Sequence, residues 1–262
     1  MGILNITPDS FSDGGQFLDP DNAIAHGLQM VEEGASIIDV GGESTRPGAV
    51  TVSASAQLGR VIPVIEGLRA NLPAHIHLSI DARAPEVAAQ AIAAGASMIN
   101  DVSGGADPEM LSLAASSRVP IVLMHMQGRP NSMQSAPHYT DVVHEICEFL
   151  SVRTEHALGA GVLSENIIVD PGIGFGKTKI HNLEIMRHLG DFVALGSAVM
   201  LGSSRKRFMG AICRETVFKD LVGATCATTV MGVLAGVKIF RVHDVRENRQ
   251  AIEVALATMS QE

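Results

Sequence analysis

The feature that most constrains this chain is an eightfold alternation of short apolar runs with segments of helical periodicity. The runs predict strands over residues 2–6, 36–40, 77–80, 97–100, 120–124, 166–169, 198–201 and 237–242. The segments between them predict helices around 20–34, 55–71, 85–94, 107–117, 139–160, 181–195, 219–235 and 246–260. Strands that alternate with helices form parallel sheets, and eight such units close a (β/α)8 TIM barrel. Since no linker rich in Pro, Gly or Ser divides the chain, residues 1–262 are predicted to form a single α/β domain.

Nearly every predicted strand ends in polar side chains that an apolar core would not bury. In chain order these are Asn5, Asp39, Asp81, Asn100 with Asp101, His125 with Gln127, Asp170, Ser203 with Ser204, and Arg241 with His243. Solvated residues where a strand meets its loop explain one or two such ends, but not all of them. The catalytic residues of such barrels come from the carboxyl ends of the strands, so we expect one site at that end.

Charge and composition exclude several classes of function. The net charge of −9 disfavours a nucleic-acid or membrane surface, because both require a basic face. One Tyr, eight Phe and no Trp leave little for a base-stacking platform. Cys147, Cys213 and Cys226 lack the paired spacing of a zinc site or a disulfide frame. With no basic region and apolar run at the start of the sequence, we expect a cytoplasmic protein.

Two glycine-rich or serine-rich segments suit a flat or anionic ligand. "DPGIGFGK", residues 170–177, sets a carboxylate before three glycines, which let backbone approach a planar ligand closely. The alternative is a plain glycine-rich turn. "LGSSRKRFMG", residues 201–210, leads from a strand into a helix start, where backbone N–H groups, Arg205 and Lys206 favour an anion. There the alternative is a capped helix with solvated basic residues.

Several cations are placed to receive a phosphorylated group. "GGESTRPG", residues 41–48, presents Arg46, whose fork of donors suits a diphosphate, although a single arginine is more often a surface residue. Arg241 and His243 are two apart, so strand alternation points both to the same side. Asn5 would offer an oxygen to a Mg²⁺ that the phosphates mostly hold. His125, in "VLMHMQG", is interpreted as a hydrogen-bonded structural histidine.

Six segments together resemble a known family. "NITPDSFSDGG", "GGESTRPG", "LMHMQG", "DPGIGFGK", "SSRK" and "RVHD" occur in this order and resemble the dihydropteroate synthases, which are pterin-binding enzymes. The resemblance extends from residue 2 to about residue 245. It implies a (β/α)8 barrel, usually a homodimer, that joins 6-hydroxymethyl-7,8-dihydropterin diphosphate to p-aminobenzoate and releases pyrophosphate in folate synthesis.

The resemblance also implies roles for individual residues. The pterin pocket matches Asp81, Asn100, Asp170 and Lys206; the diphosphate and magnesium positions match Asn5, Arg46, Arg241 and His243; the p-aminobenzoate positions match Phe11, Thr45, Pro47, Phe175 and Ser204. Within this set, Asp81, Asp170, Lys206 and Arg241 are the expected catalytic residues. The segment that follows the first strand matches a mobile loop that closes over the site. One departure is Ala82, where the family commonly has a threonine.

Two other functions stay open at the level of sequence. A relative with the same barrel binds methyltetrahydrofolate for methyl transfer, but it has no use for the cluster of Arg46, Arg241 and His243. A non-catalytic paralogue that keeps the fold is disfavoured by the intact polar set. A requirement for Mg²⁺ and release of pyrophosphate would separate the synthase from both.

Overall fold

The computed structural model describes residues 1–7, 19–44, 51–128 and 132–260 of the chain. This part contains one parallel sheet of eight short strands. They are β1 Gly2–Asn5, β2 Ile37–Gly41, β3 His77–Asp81, β4 Met98–Asp101, β5 Ile121–Met124, β6 Ile167–Asp170, β7 Ala198–Leu201 and β8 Ile239–Phe240. Most are continuous aliphatic runs, which is typical of strands that are covered on both faces.

The strands lie side by side in chain order, from β1 to β8, and every printed pair is parallel. The sheet curls until its last strand approaches its first. Gly2 forms a parallel bridge with Val242, two residues beyond β8. The amide of Ile3 donates to the carbonyl of Val242 at 3.0 Å, and the amide of Val242 donates to the carbonyl of Met1 at 3.0 Å.

Helices connect the successive strands. They are α1 Pro20–Glu32, α2 Ala54–Asn71, α3 Pro85–Ala93, α4 Pro108–Ser117, α5 Val142–Gly159, α6 Lys179–Arg187, α7 Leu189–Val193, α8 Arg207–Cys213, α9 Val222–Ala235 and α10 Val245–Met259. Proline opens α1, α3 and α4, where its fixed φ and missing N–H cost the helix nothing. Asp19, Asp107 and Asp141 cap α1, α4 and α5 by accepting hydrogen bonds from first-turn amides.

The two faces of the sheet bury separate apolar clusters. Ile99, Leu123 and Val169 belong to the large cluster that the sheet forms with the helices. Alternate residues of the same strands point the other way. Met98, Val122, Ile168 and Met200 form a second, smaller cluster inside the curled sheet. The inside of the sheet is therefore a packed core whose upper layer, at the carboxyl ends of the strands, is open for polar side chains.

Most predicted elements are present, with differences at three places. The predicted strand over 237–242 is reduced to two residues in β8, because its flanks pair with β1 and carry the site residues described below. The predicted helix over 181–195 divides at His188 into α6 and α7. The seven-residue α8 follows β7, and the sequence indicated only its start.

None of the helices in the described part of the chain combines the length and apolarity needed to cross a lipid bilayer.

Candidate active site

One row of polar residues crosses the carboxyl end of the sheet. Strand register aligns Asn5 of β1 with Gly41 of β2, Gly41 with Asp81 of β3, and Asp81 with Asn100 of β4. Gly41 leaves room in this row, since a Cβ there would lie 3.3 Å from the Asn5 side-chain oxygen and 3.6 Å from the Cβ of Asp81. Parallel strands in register present such residues on one face, so Asn5, Asp81 and Asn100 face the same cleft.

Arg241 joins two carboxylates at the centre of this row. Its Nε donates to Oδ2 of Asp39 at 2.6 Å, and its Nη2 donates to Oδ2 of Asp81 at 2.9 Å. Nδ2 of Asn100 donates to the same Asp39 oxygen at 3.0 Å. The Asp39 side chain is fully buried, and the Arg241 side chain is 20% exposed. These bonds use two of the five N–H donors of the guanidinium, so donors remain for an anion in the cleft.

Two acceptor atoms in this cluster receive no hydrogen bond from the described residues. They are Oδ1 of Asp39 and Oδ1 of Asn100, and both are buried. Buried polar groups are nearly always paired, and an unpaired acceptor costs about 1–3 kcal/mol. The cluster is therefore suited to a ligand that brings N–H donors.

Burial shifts two acids of the cleft, Asp81 and Asp170, towards their neutral forms. It raises the pKa of Asp81 to about 7, although Arg241 opposes the shift; Asp39, Asp101 and Glu43 add to it. Burial also raises the pKa of Asp170, against the hydrogen bond from the Gly172 amide and the charges of Lys206, Lys177 and Arg241. Arg241 is thus close enough to act on Asp170, at the end of β6, as well as on Asp81.

Lys206 and Phe175 meet beside Asp170. The Lys206 Nζ lies 4.2 Å from the centroid of the Phe175 ring, and its charge acts on Asp170. A cation over an aromatic face is attracted by the ring quadrupole, which holds both side chains in place. The glycine-rich loop after β6 and the turn after β7 therefore share one wall of the cleft.

The turn before α8 is anchored to the segment after β8. The Ser204 hydroxyl lies 2.9 Å from Nδ1 of His243 and accepts a hydrogen bond from the His243 amide. Arg205 has a φ of 56° and forms two hydrogen bonds with the Asp244 carboxylate. We expected Arg205 to add charge for an anion, but the structure pairs it with Asp244. Lys206 precedes the first residue of α8.

Not every predicted site residue can be placed. Phe11, Thr45, Arg46 and Pro47 lie outside the described residues, so their predicted roles rest on the sequence. The remaining set is brought to one end of the sheet: Asn5, Asp81, Asn100, Asp170, Phe175, Ser204, Lys206, Arg241 and His243.

Asn5 is the described residue that was predicted to bind magnesium. Among residues 1–7, 19–44, 51–128 and 132–260, no group of three or more His, Cys, Asp and Glu side chains could hold a metal ion. Asn5 does present an amide oxygen at the edge of the cleft, close to Asp81. Mg²⁺ bound to a substrate phosphate commonly takes only one or two protein oxygens, so this site fits that mode of binding.

Asp39, in the cleft, and Lys177, behind it, were not predicted as site residues. Asp39 was noted as a strand end, yet it is the shared acceptor for Arg241 and Asn100. The signal was a carboxylate inside the apolar strand "IIDVG". Lys177 is buried behind Asp170, and nothing in "DPGIGFGK" distinguishes it from a surface lysine. A separate open depression of about 440 Å³, lined by residues that include Arg207, Arg214 and Phe218, contains none of the predicted site residues.

Comparisons with known proteins identify the family of this chain. Residues 1–243 match the family described as pterin binding enzyme. A dihydropteroate synthase from Synechocystis is 47% identical over 256 residues, which is 97% of this chain and 88% of the relative. The Yersinia pestis dihydropteroate synthase, solved with a sulfonamide drug, has a TM-score of 0.95 at 39% identity and covers 100% of this chain and 94% of its own.

A second solved structure, the Xanthomonas albilineans dihydropteroate synthase with 4-aminobenzoic acid, has a TM-score of 0.93 at 44% identity. The superposition covers 100% of this chain and 93% of the Xanthomonas albilineans chain. Because both the family match and the relatives extend over almost the whole sequence, the chain belongs to the pterin-binding enzyme family, among its dihydropteroate synthases.

Proposed function

We propose that the chain condenses 6-hydroxymethyl-7,8-dihydropterin diphosphate with p-aminobenzoate, giving 7,8-dihydropteroate and pyrophosphate in folate biosynthesis. The observation that carries this proposal is the convergence of buried oxygen acceptors with Lys206 and Arg241 at one end of the sheet. A pterin presents neighbouring N–H donors along one edge, and a diphosphate requires cations. The cleft has both kinds of partner.

The pterin is assigned to Asp81, Asn100, Asp170 and Lys206. One carboxylate, such as Asp170, can accept two parallel N–H bonds from the amide and amino edge, while Lys206 donates to the carbonyl and ring nitrogen on the opposite side. Burial supports this assignment, because charge-assisted hydrogen bonds are stronger where water is excluded. The raised pKa of Asp170 has a consequence: a donor-rich ligand favours its ionised form and draws the proton away.

The diphosphate is assigned to Arg241 and His243, with Arg46 and Asn5. The N–H donors of Arg241 that are not engaged with Asp39 or Asp81 can meet phosphate oxygens. Mg²⁺, held by Asn5 and by the diphosphate itself, would supply positive charge to the leaving group. Asp39 and Asp81 limit where the guanidinium can lie, so its charge is oriented before the substrate arrives.

The p-aminobenzoate is assigned to Phe175 and Ser204, with Phe11, Thr45 and Pro47. Phe175 offers an aromatic face, and Ser204 offers a hydroxyl that His243 already orients. The neutral aryl amine attacks the methylene carbon of the pterin as the bond to the diphosphate oxygen breaks. The new nitrogen then loses a proton. A neutral amine needs no strong general base.

Two features of the architecture are also proposed, the closure of the barrel and the oligomeric state. We infer that the curled sheet is a complete (β/α)8 barrel, and the Gly2–Val242 bridge supports this. We also infer a homodimer. The packed pair α9 and α10 exposes apolar side chains, each more than two-fifths exposed: Met231, Leu234, Val254, Leu256 and Met259. Apolar groups gathered on two neighbouring helices suit contact with a second copy. Light scattering of the protein and of a Leu234→Glu variant tests the dimer.

The activity is tested by incubating the purified protein with the pterin diphosphate, p-aminobenzoate and Mg²⁺. We expect dihydropteroate and pyrophosphate in equal amounts, and no product when chelator removes the metal. An Arg241→Met variant should lose turnover, whereas the matched variant Arg249→Met should keep it, because Arg249 pairs with Glu253 on the exposed face of α10. Absence of dihydropteroate with folded, metal-supplied protein would overturn the proposal.

A further inference from the structure

A lysine with no role in the reaction proposed above is buried behind the cleft. Lys177 is 3% exposed. Its Nζ lies 2.9 Å from Nδ1 of His125, 3.0 Å from the carbonyl oxygen of Phe175 and 3.4 Å from the carbonyl oxygen of His125. Burial lowers the pKa of Lys177 to about 7, against the charge of Asp170, and the protonated form has three N–H donors, one for each acceptor. A lysine is rarely buried unless such partners are present, and here the partners are neutral groups on two different loops.

The His125 side of this contact is rigid. The His125 ring is buried and packs edge-on against Phe149, with 4.9 Å between the centroids. Burial, together with the charge of Lys177, lowers the pKa of His125 to about 3, so the ring is neutral, and the tautomer with its proton on Nε2 presents Nδ1 to Lys177 as an acceptor. The His125 amide donates to the carbonyl of Asp170 at 3.0 Å, which ties this residue to the end of β6.

The glycine-rich loop lies tightly against the segment after β5. Gly172 has a φ of 70°, and a Cβ there would lie 1.9 Å from the carbonyl oxygen of His125. Gly176 has a φ of 62°, and a Cβ there would lie 2.4 Å from the carbonyl oxygen of Gln127. Phe175 lies between these two contacts. Its carbonyl accepts from Lys177, while its half-buried ring meets Lys206 in the cleft.

We propose that Lys177 is a positioning residue for the second substrate: by bonding His125 and the Phe175 carbonyl, it fixes the orientation of the ring that receives p-aminobenzoate. The inference rests on the proposed function for the identity of that substrate. Lys177 itself is behind the loop and is not assigned to either substrate. Lys177 is thus one of the side chains that join the two loops, beside Tyr139, whose hydroxyl donates to the carbonyl of Gly176 at 2.9 Å.

A general contribution to stability is the simpler explanation of a buried lysine. An experiment can separate this explanation from a positioning role. If Lys177 only satisfies buried polar groups, replacing it together with His125 by apolar residues leaves substrate binding unchanged, because neither a buried amine nor a buried ring nitrogen is then left without a partner. If Lys177 positions Phe175, the same replacement releases the Phe175 carbonyl and disturbs one substrate more than the other.

The test uses Lys177→Met, which keeps an unbranched chain as far as Cε and removes the amine, and Lys179→Met as the matched control on the exposed first residue of α6. At saturating pterin diphosphate and Mg²⁺, we expect Lys177→Met to raise the KM for p-aminobenzoate about tenfold, with kcat and the pterin dissociation constant changed less than about threefold. The control should match the unchanged enzyme. An unaltered KM, or equal losses for both substrates, refutes the positioning role.

A second variant and a second measurement keep the test decisive if Lys177→Met fails to fold or is inactive. His125→Leu combined with Lys177→Met removes the amine and the imidazole together, so it is expected to fold even if the single variant does not, and it should show the same rise in KM. Hydrogen–deuterium exchange of residues 171–176 needs no substrate and should be about tenfold faster in either variant than in Lys179→Met. Equal exchange refutes the proposal whether or not the enzyme is active. Failure of the unchanged enzyme and the control to make dihydropteroate refutes the proposed function instead.

Discussion

Replacement of Arg241 by methionine should destabilise the folded chain as well as abolish turnover. Arg241 lies between two buried carboxylates, Asp39 at 2.6 Å and Asp81 at 2.9 Å, whose side chains are 0% and 7% exposed. Removing one partner of a buried ion pair costs about 3–5 kcal/mol, because the remaining charge stays buried without compensation. We therefore expect the free energy of unfolding at pH 8 to fall by about this amount.

The loss should depend on pH with a definite sign. The folded-state pKa of Asp81 is raised above its unfolded value of 3.8, and Arg241 opposes that rise. Without Arg241 the pKa rises further above 7, so the folded variant keeps its proton where the parent protein has released it. A group with a raised pKa contributes stability that is lost as pH rises through that pKa. The difference in the free energy of unfolding between variant and parent should hence be smaller at pH 6 than at pH 8.

Urea denaturation at both pH values provides the measurement, with Arg249→Met as the control. The Arg249–Glu253 pair is about half exposed on both side chains, and such pairs contribute about 0–1 kcal/mol. Equal losses in the two variants, or a larger loss at pH 6 than at pH 8, would contradict the assignment of a buried charge cluster. A decrease in the free energy of unfolding that occurs only in Arg241→Met, and that is larger at pH 8 than at pH 6, would support the buried charge cluster.

Three further predictions follow from the same geometry. Asp81→Asn should flatten the dependence of stability on pH between about 4 and 7, by up to about 1.4 kcal/mol per pH unit, in urea titrations. Gly172→Ala should lower the free energy of unfolding by about 3 kcal/mol or more, because its Cβ would overlap the His125 carbonyl. Gly223→Ala is the control: a Cβ there has no atom within 4 Å, so this variant should gain up to about 1 kcal/mol. Thermal melting compares the two variants. Lys206→Met should weaken binding of a pterin by about 1.5–3 kcal/mol in calorimetric titration, and an unchanged affinity would remove Lys206 from the pterin pocket.

The order of the elements could be predicted because it depends on local periodicity. Seven of the eight strands agree with the prediction within about one residue, and the eighth was too long because "VKIFRV" is apolar enough to suggest a longer strand. Periodicity does not report where a strand stops pairing with one neighbour and begins to pair with another. That depends on the curl of the whole sheet, which brings Val242 to Gly2.

The members of the candidate site were predictable where the strand end was the signal. Asn5, Asp81, Asn100 and Asp170 each follow an apolar run, so their placement at one end of the sheet follows from topology. The pairings were not predictable. That Arg241 meets Asp39, 202 residues away in the chain, depends on the inward direction of both side chains. That Lys177 points behind the cleft depends on the left-handed glycines around it.

Because the oxygens of Asp39 and Asn100 receive no hydrogen bond within the part of the chain that the structure describes, we expect the lifetime of the folded protein to depend on the supply of its ligand. Each acceptor raises the free energy of the folded chain by roughly the 1–3 kcal/mol of an unmade bond. A ligand that donates to them binds only folded molecules, so its concentration sets how often the chain opens to proteases. In a cell that lacks the pterin, the protein should turn over faster, which couples its abundance to the preceding step that makes the substrate.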